Sequence, residues 1–458
     1  MEFVADLHLH SKYSRAVSKE MNLYNMALWG TKKGLDVLST TDWTHPLWMR
    51  EIKTQLEEDG AGIFKIKDNK EFKTRFILSV EISSIYTQKG QVHRIHNLVF
   101  SPSIETAEKI AAELIKRGCN LSSDGRPIVG LSSIQLMELI YSIDKDVLLV
   151  PCHAWTPWFA LYGSNSGFDS IDDCFGEYAD KIYGVETGLS SDPYMNWQIK
   201  ELDHRSLISN SDAHSLPKMG REATVFVSKD GVKNSKLKIQ NDEEKFKLTY
   251  QDIVQAIKQD SKGKLKIGYT IEFYPEEGKY HYTGHRNCNF VQDPKQTKLD
   301  GNICPVCKRP LTVGVMHRVE ELAKTDRFPD EVFKLNPNGV KWIIDPSRNH
   351  PPFVKLVPLN EIIAESLHST VSSQKVKDMF DQLCTKFGSE LNVLLKIPVA
   401  DIEKEAGPRV AEGVDKVRRG NIVILPGFDG QYGIVKIWDD KKTTEKQEET
   451  KSQLGIDF

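Results

Sequence analysis

The residues best suited to chemistry fall one after another at the ends of short apolar runs. Asp6-Leu7-His8-Leu9-His10 closes the first run, Thr41-Asp42-Trp43-Thr44-His45 follows the second, and Glu81 ends the third. His93 and His96 stand at the start of a fourth, and His153 follows Val150-Pro151-Cys152. Glu186 ends a sixth run, and Ser211-Asp212-Ala213-His214 follows a seventh. In α/β proteins, ligand and catalytic groups gather at the carboxyl ends of strands. Imidazoles mixed with Asp and Glu, with no thiolate at the strand ends, suit Zn, Mn or Fe better than an all-oxygen Mg site. The donors exceed one tetrahedral site, so two or three ions are expected, activating water, clamping phosphate oxygens and stabilising a leaving oxygen. A lone strand-end histidine is usually a satisfied core or loop residue. His8 and His10, however, alternate onto one face, and Asp212 and His214 repeat that spacing at another strand end. Asp42 and Glu186 could each orient a ligand or cap a loop instead of touching metal.

A second cluster is local. His285-Arg286-Asn287-Cys288 and, after fifteen residues, Cys304-Pro305-Val306-Cys307 make two knuckles at zinc-ribbon spacing, which predicts a closed structural zinc. His281 and His317 compete with His285 for the fourth place. Beside His153 lie Trp155, Trp158, Phe159 and Tyr162. Core packing is their default reading, but next to a metal ligand they could instead bind substrate, stacking on a base or wedging a duplex open. The basic clusters Lys308-Arg309, Arg318 and Lys416/Arg418/Arg419 could hold phosphates, although a solvated face is the ordinary role of each.

These side chains need strands to carry them. The apolar runs are Phe3–His8, Asp36–Thr40, Phe76–Ile82, Ile95–Phe100, Val147–Cys152, Ile182–Thr187, Ser206–Asn210 and Ala223–Val227. Helical patterns at Ile104–Arg117 and Ser132–Ser142 lie between some of them, and only the pair from Phe76 to Phe100 reads as a hairpin. The alternation predicts an α/β domain with a largely parallel sheet. Seven strands spaced about 4.8 Å apart in an open sheet would spread their ends over roughly 30 Å. Metal bonds need donors within about 2.0–2.2 Å of one ion, so the ligand pattern argues for a closed barrel.

At 458 residues the chain suits two to four domains of about 150 residues each. The divisions expected are a catalytic barrel over 1–273, a zinc-binding segment over 274–330, a mostly helical C-terminal region over 331–438 and a disordered tail over 439–458. Within the first, the Lys-rich stretch Ser228–Lys266 reads as a long, partly mobile connection with one helix near Tyr250–Gln259, before a last strand at Tyr269–Phe273. Within the third, Pro358–Phe387 and Val399–Arg419 read as helices, and Ile422–Leu425 with Tyr432–Ile437 as a hairpin. Lys plus Arg number 61 against 64 Asp plus Glu, a net charge of −3. That balance excludes a histone-like basic protein and a wholly disordered acidic one, and leaves room for a local basic groove. No run of 18 apolar residues occurs, so no membrane span is expected. With no secretory signal at Met1–Asp6 and only seven cysteines, the reading is cytoplasmic and reducing.

In this order, Asp6–Ser11, Thr41-Asp42, Glu81, His96, His153 and Ser211–His214 resemble the polymerase and histidinol phosphatase (PHP) superfamily. The stretches Val150–Trp158, Val185–Pro193, Tyr280–Cys288 and Ile303–Thr312 are similar to endonuclease Q, and the resemblance runs over roughly residues 1–437. It implies a distorted seven-stranded barrel, a zinc-binding segment and a helical C-terminal region. It also implies hydrolysis of DNA on the 5′ side of deaminated bases (uracil, hypoxanthine, xanthine) and of abasic sites. By the same resemblance His8, His10, Glu81 and Asp212 hold one ion, and Glu81 bridges to a second completed by His96 and His153. His45 and His214 are left for a third, and Asp212, Glu81, His45 and His214 stand among the catalytic groups. Two departures favour two ions over three. The superfamily's Thr-Asp-His reads Thr41-Asp42-Trp43 here, with the imidazole displaced to His45, and Ser11–Ala16 adds no further histidine or acid.

The expected function is therefore a metal-dependent endodeoxyribonuclease of DNA repair that leaves a 3′-hydroxyl and a 5′-phosphate. Its cofactors would be a structural Zn and two or three catalytic Zn, Mn or Fe ions, with Mg as an activator. Damaged DNA is the expected partner; a sliding clamp or another repair protein is not derivable from the residues. Two readings compete: a small-molecule phosphomonoesterase on the same barrel, and a DNA-binding protein whose metal site is only structural.

Overall fold

The structure is a computed structural model that describes residues 1–69, 71–229, 246–323 and 330–439. Strand Glu2–Asp6 lies inside the main sheet, antiparallel to Ala223–Ser228 and parallel to Val37–Ser39. Arg75–Gln88 follows in parallel and folds back on Gln91–Ser101, which in turn pairs antiparallel with Leu148–Pro151. The hairpin turns at Lys89 (φ 50°) and Gly90 (φ 79°), two left-handed residues in succession, as a tight two-residue hairpin turn requires. Gly184–Glu186 and Ser206–Ile208 form a separate parallel pair. One flank of this pair is tied to the end of Leu148–Pro151, where Ala154 N–H donates to the Glu186 carbonyl. The other is tied to the first strand by a bridge between Leu9 and Ala213.

Alternate strand residues, among them Ala5, Val37, Ile77, Leu98, Leu148 and Ile208, share a fully buried core with helix Tyr250–Ile257. Packing of this kind needs runs that are apolar on more than one face, which is how these segments read. Flanking helices begin where the sequence supplies caps. Ser103 caps Ile104–Lys116, and Ser132 with Gln135 forms a capping box on Ser133–Ile143.

Several expectations need correction. Antiparallel pairings outnumber parallel ones among the described residues, because the Arg75–Ser101 hairpin and the strands on either side of Glu2–Asp6 return directly. A further hairpin, Leu56–Gly60 with Ile63–Ile66, was not expected; its first strand is largely Glu57, Glu58 and Asp59, as an edge strand permits. The region from 331 does not begin as helix. Val332–Leu335, Lys341–Ile344 and Phe353–Lys355 are strands, and the last joins Leu265–Glu272 in parallel, extending the same sheet. Helices start at Leu359–Ser366 and continue through Gln374–Phe387, Glu390–Leu395, Val399–Ala406 and Pro408–Arg419, before the hairpin Val423–Leu425 with Ile434–Lys436. The buried Lys33–Glu390 ion pair (2.6 Å) fastens these helices to the helix Leu23–Lys33. Residues 230–245 of the Lys-rich connection, and the tail beyond Asp439, lie outside the described residues.

Two arginines read as phosphate holders are engaged elsewhere. Arg418 is buried and donates to the carbonyls of Leu394, Asn338, Val393 and Ile397. Arg318 donates to the carbonyls of Tyr162 and Phe168 and pairs with Asp169.

Candidate metal centres

Glu81 is the hub of the strand-end cluster. It lies mid-strand, 1% exposed, opposite Leu98, so it shares a face with His96 two residues away on the partner strand. Its Oε1 contacts His96 Nδ1 and lies 3.1 Å from His153 Nε2. Its Oε2 lies 3.3 Å from His10 Nε2 and 3.7 Å from His8 Nε2. Asp212 Oδ1 completes the picture, 2.9 Å from His10 Nε2 and 3.8 Å from His8 Nε2. The donors fall into two groups, His8/His10/Asp212 and Glu81/His96/His153, whose ligand atoms lie within 4.8 Å of one another in each. Thr41, Asp42, His153 and Asp212 all have positive φ (55°, 44°, 29° and 46°), a backbone region that non-glycine residues seldom adopt. Such outliers concentrate at functional sites.

Two carboxylates stand behind the imidazoles. Glu186 holds His8 Nδ1 at 3.0 Å with both oxygens, which turns Nε2 toward the centre. It also accepts from the His153 backbone N–H (2.9 Å) and from Asn210 Nδ2 (2.8 Å). Asp42 accepts from Ser11 N–H (2.8 Å), Ser11 Oγ (2.6 Å) and Ser14 Oγ (2.8 Å), and stands 3.6 Å from His10 Nδ1.

Burial works against charge at Glu81, Asp212, His8 and His10, where the neighbours outweigh it, and prevails at His96, which it holds below the ordinary imidazole value. His96, His10, His153 and His8 overcome it at Glu81, holding the carboxyl well below its usual range. His10 and His8 do the same for Asp212. Conversely, Glu186 raises His8, and Asp212 with Asp42 raises His10, both well above the ordinary imidazole value. The donor set fits cations. His8 Nε2, both nitrogens of His10 and Asp212 Oδ1 are buried without an aligned hydrogen-bond partner. His10 Nε2 and Asp212 Oδ1 are 2.9 Å apart yet not aligned as donor and acceptor, as lone pairs converging on one ion would be. Leaving such atoms bare costs about 1–3 kcal/mol each, a cost a bound ion removes.

Not every candidate arrives at the cluster. His45 turns away, with its ring 4.5 Å from that of Tyr13 and Nε2 3.2 Å from the Ser122 carbonyl. His214 stands half-buried at the mouth, its Nδ1 2.9 Å from the Asp212 carbonyl and its ring 4.6 Å from that of His10. The two do not come together as a third donor group. Cys152 does arrive: its buried sulfur groups with His8 and Glu81, so the strand ends are not free of sulfur as expected. Burial, with Glu186 and Glu81, pushes this thiol well up. Its place just before His153 was the available signal. Arg126, also missed, sets Nη1 3.2 Å from Glu81 Oε2.

The aromatic segment divides. Trp155 and Tyr162 are buried and bonded, Trp155 Nε1 to Asn196 Oδ1 (2.8 Å) and Tyr162 Oη to Glu201 (2.9 Å), so neither offers a surface to a base. Trp158 and Phe159 are half-buried. Phe159 holds a positive φ of 62° with its ring 4.8 Å from that of His96, and Trp158 meets Tyr280 edge-on.

At the second cluster His285, and neither His281 nor His317, stands with Cys288, Cys304 and Cys307, all four ligand atoms within 4.8 Å of one another. Each knuckle ends on a left-handed residue, Asn289 (φ 46°) and Lys308 (φ 59°), and Lys308 N–H closes back on the Cys304 carbonyl at 2.9 Å. His281 is buried elsewhere, and His317 Nε2 pairs with Glu321 at 3.4 Å.

Sheet and sites together define a mixed α/β protein that gathers imidazoles and carboxylates at its strand ends and carries a separate Cys/His cluster. Its relatives are specific. Residues 358–421 match the family described as the MJ0043 C-terminal domain. The protein MJ0043 of Methanocaldococcus jannaschii is 31% identical over 302 residues, 65% of this chain, and the chain spans only about a third (33%) of that relative. YqxK of Bacillus subtilis is 26% identical over 452 residues, covering 94% of this chain and 98% of its own length. The lesion-specific endonuclease PfuEndoQ of Pyrococcus furiosus superposes with a TM-score of 0.76 at 30% identity, over 95% of each chain. A solved endonuclease Q complex with a 27-mer duplex bearing an abasic lesion at the active site gives the same TM-score and identity, over 96% of this chain and 97% of that one. The chain belongs to the endonuclease Q family.

Proposed function

We propose that the protein is a divalent-metal-dependent DNA repair endonuclease of PHP type, hydrolysing the phosphodiester 5′ of abasic sites and deaminated bases. The observation that carries the reading is the pair of donor groups meeting at Glu81, in a chain that shares its fold with an endonuclease Q seen on abasic duplex DNA. The strands from Glu2 to Ile208, with the Leu9–Ala213 bridge, are read as a distorted barrel, and His285, Cys288, Cys304 and Cys307 as a structural zinc site in the 274–330 segment.

Glu81, His8, His10 and Asp212, and Glu81, His96 and His153, would hold divalent ions, which would supply Lewis-acid activation of the phosphodiester and of the attacking water. The chain does the rest. Glu186 locks the ring orientation of His8 by hydrogen-bonding its Nδ1, and Asp42 stands 3.6 Å from His10 Nδ1 as a counter-charge behind that ring. His214, its Nδ1–H donating to the Asp212 carbonyl and its imidazole held below the ordinary value by burial, stands half-buried at the mouth with Nε2 free to accept a proton from the attacking water. Trp158 and Phe159 supply half-buried aromatic surface beside His96 for a nucleotide leaving the stack.

The test uses an end-labelled duplex with one abasic site or one deoxyuridine, incubated with wild type and Asp212→Asn, with and without chelator. A single nick on the 5′ side of the lesion, lost in the variant and with chelator, is the expected result. An intact strand under Mg, Mn and Zn, together with phosphate release from small phosphomonoesters, would overturn the reading.

A further inference from the structure

Arg126 stands where a metal-binding site has no structural need of a cation. Its Nη1 donates to Glu81 Oε2 at 3.2 Å, the same oxygen that faces His10 and His8. Among the described residues the guanidinium bonds to no other group, and its side chain is 27% exposed, so its remaining donors are left for a ligand or solvent. A guanidinium and metal ions sharing one carboxylate repel each other unless an anion lies between them.

The loop is built to hold this position. Asp124 Oδ1 accepts the backbone N–H groups of Arg15 (3.3 Å) and Arg126 (3.2 Å), and Gly125 N–H donates to the Tyr13 carbonyl (3.1 Å). A Cβ on Gly125 would fall 2.2 Å from Asp42 Oδ2, so only glycine lets the loop come this close. On the far side, the Pro127 carbonyl takes Ser83 N–H (2.9 Å), and Ile128–Val129 pairs in parallel with Ser83–Ser84, two residues beyond Glu81. The arginine and the hub carboxylate are thus fixed to the same strand.

We propose that Arg126 is a substrate-binding residue of the reaction, its guanidinium fork taking a non-bridging oxygen of the phosphodiester to be cleaved. The assignment rests on the nuclease reading above. Arginine suits the task because its planar donors match phosphate oxygens two at a time and its charge is permanent. On substrate binding one donor stays on Glu81 while the outward pair engages the phosphate. The positive charge would then meet the developing charge of the transition state.

The experiment compares Arg126→Ala and Arg126→Lys with the parent chain, all in an Asp212→Asn background that leaves DNA uncut. Binding of an abasic duplex is read by anisotropy across a salt series, with metal content measured on each protein. The same duplex carrying a neutral methylphosphonate at the linkage 5′ of the lesion is the second probe. We expect Arg126→Ala to bind about tenfold more weakly and to lose about one unit of salt slope. The methylphosphonate should weaken the Arg126 protein by a similar factor and Arg126→Ala hardly at all, with metal content unchanged. Arg126→Lys should recover part of the affinity. Equal sensitivity of both proteins to the methylphosphonate, an unchanged salt slope, or a loss traced to missing metal would overturn the assignment while wild type still nicks. A wild type that neither nicks nor prefers the abasic duplex would overturn the nuclease reading, and the assignment with it.

Discussion

The two Cys/His/carboxylate clusters of this molecule are assembled in opposite ways. Cys307 and His285 lie 22 residues apart in sequence, and their ligand set closes within one small segment. His8 and its orienting Glu186 lie 178 residues apart, and the cluster around Glu81 draws on six separate stretches of chain. A local site closes a short loop at little entropic cost and can fold around its ion; a dispersed one must be set in place by the sheet before any ion arrives. On the proposed reading, the ion stabilises the segment in the first case and the segment prepares the ion site in the second.

Breaking the local site should give the largest effect. Cys304→Ser is expected to lose one equivalent of zinc and to leave the 274–323 segment open to protease, because structural zinc in small domains contributes about 10–16 kcal/mol of apparent binding energy. Cation binding at the Glu81 cluster should persist. Elemental analysis with limited proteolysis checks both, and a variant that keeps its full zinc content would erase the distinction. The dispersed site should respond differently. Glu186→Gln keeps the fold but loosens His8, and cation affinity should fall by about 10–100-fold in a titration of the metal-free protein, with little change in melting temperature.

The smallest effect lies behind the cluster, where Glu222 and Glu272 flank the paired Ala223 and Ile271 on adjacent strands, both fully buried. Burial, with Asp192 nearby, pushes Glu272 up to about 8, and burial with Glu272 pushes Glu222 well up. Glu272 is therefore protonated in the fold at neutral pH and ionised once unfolded. Its contribution to stability is whole below the usual 4.5 and is lost as pH rises through about 8. Glu272→Gln cannot ionise, so its melting temperature should fall less than wild type's between about pH 5 and 8, a difference of roughly 2–4 °C in a thermal scan. Parallel curves would remove Glu272 from the account.

The sequence exposed what depends on spacing within one element. The His8/His10 alternation, the two knuckles and the runs ending in Glu81 and Glu186 each lie in a single stretch, and the structure brings those side chains together as two clusters. What it could not expose depends on where a loop lands. Arg126 reaches Glu81 only because Gly125 slips past Asp42, and His45 is drawn off by the ring of Tyr13 and the carbonyl of Ser122. Trp155 and Trp158 look alike in sequence, yet Asn196 and the core claim the first and leave the second half-buried. The strands between Val332 and Lys355 are short, and the first is exposed throughout, so no alternation marks them inside the region expected to be mostly helical; Phe353–Lys355 is fixed by its pairing with Leu265–Glu272 and carries the other two.

The position of Glu2–Asp6 in the sheet sets a timetable. Its parallel neighbour, Val37–Ser39, is synthesised almost at once, but its antiparallel neighbour begins at Ala223. At the usual 5–20 residues per second, the first strand emerges roughly 10–40 s before that partner does. His8 and His10 wait through the same interval for Asp212. A nascent chain therefore carries two imidazoles without the carboxylate that completes their group until synthesis has run on to Asp212.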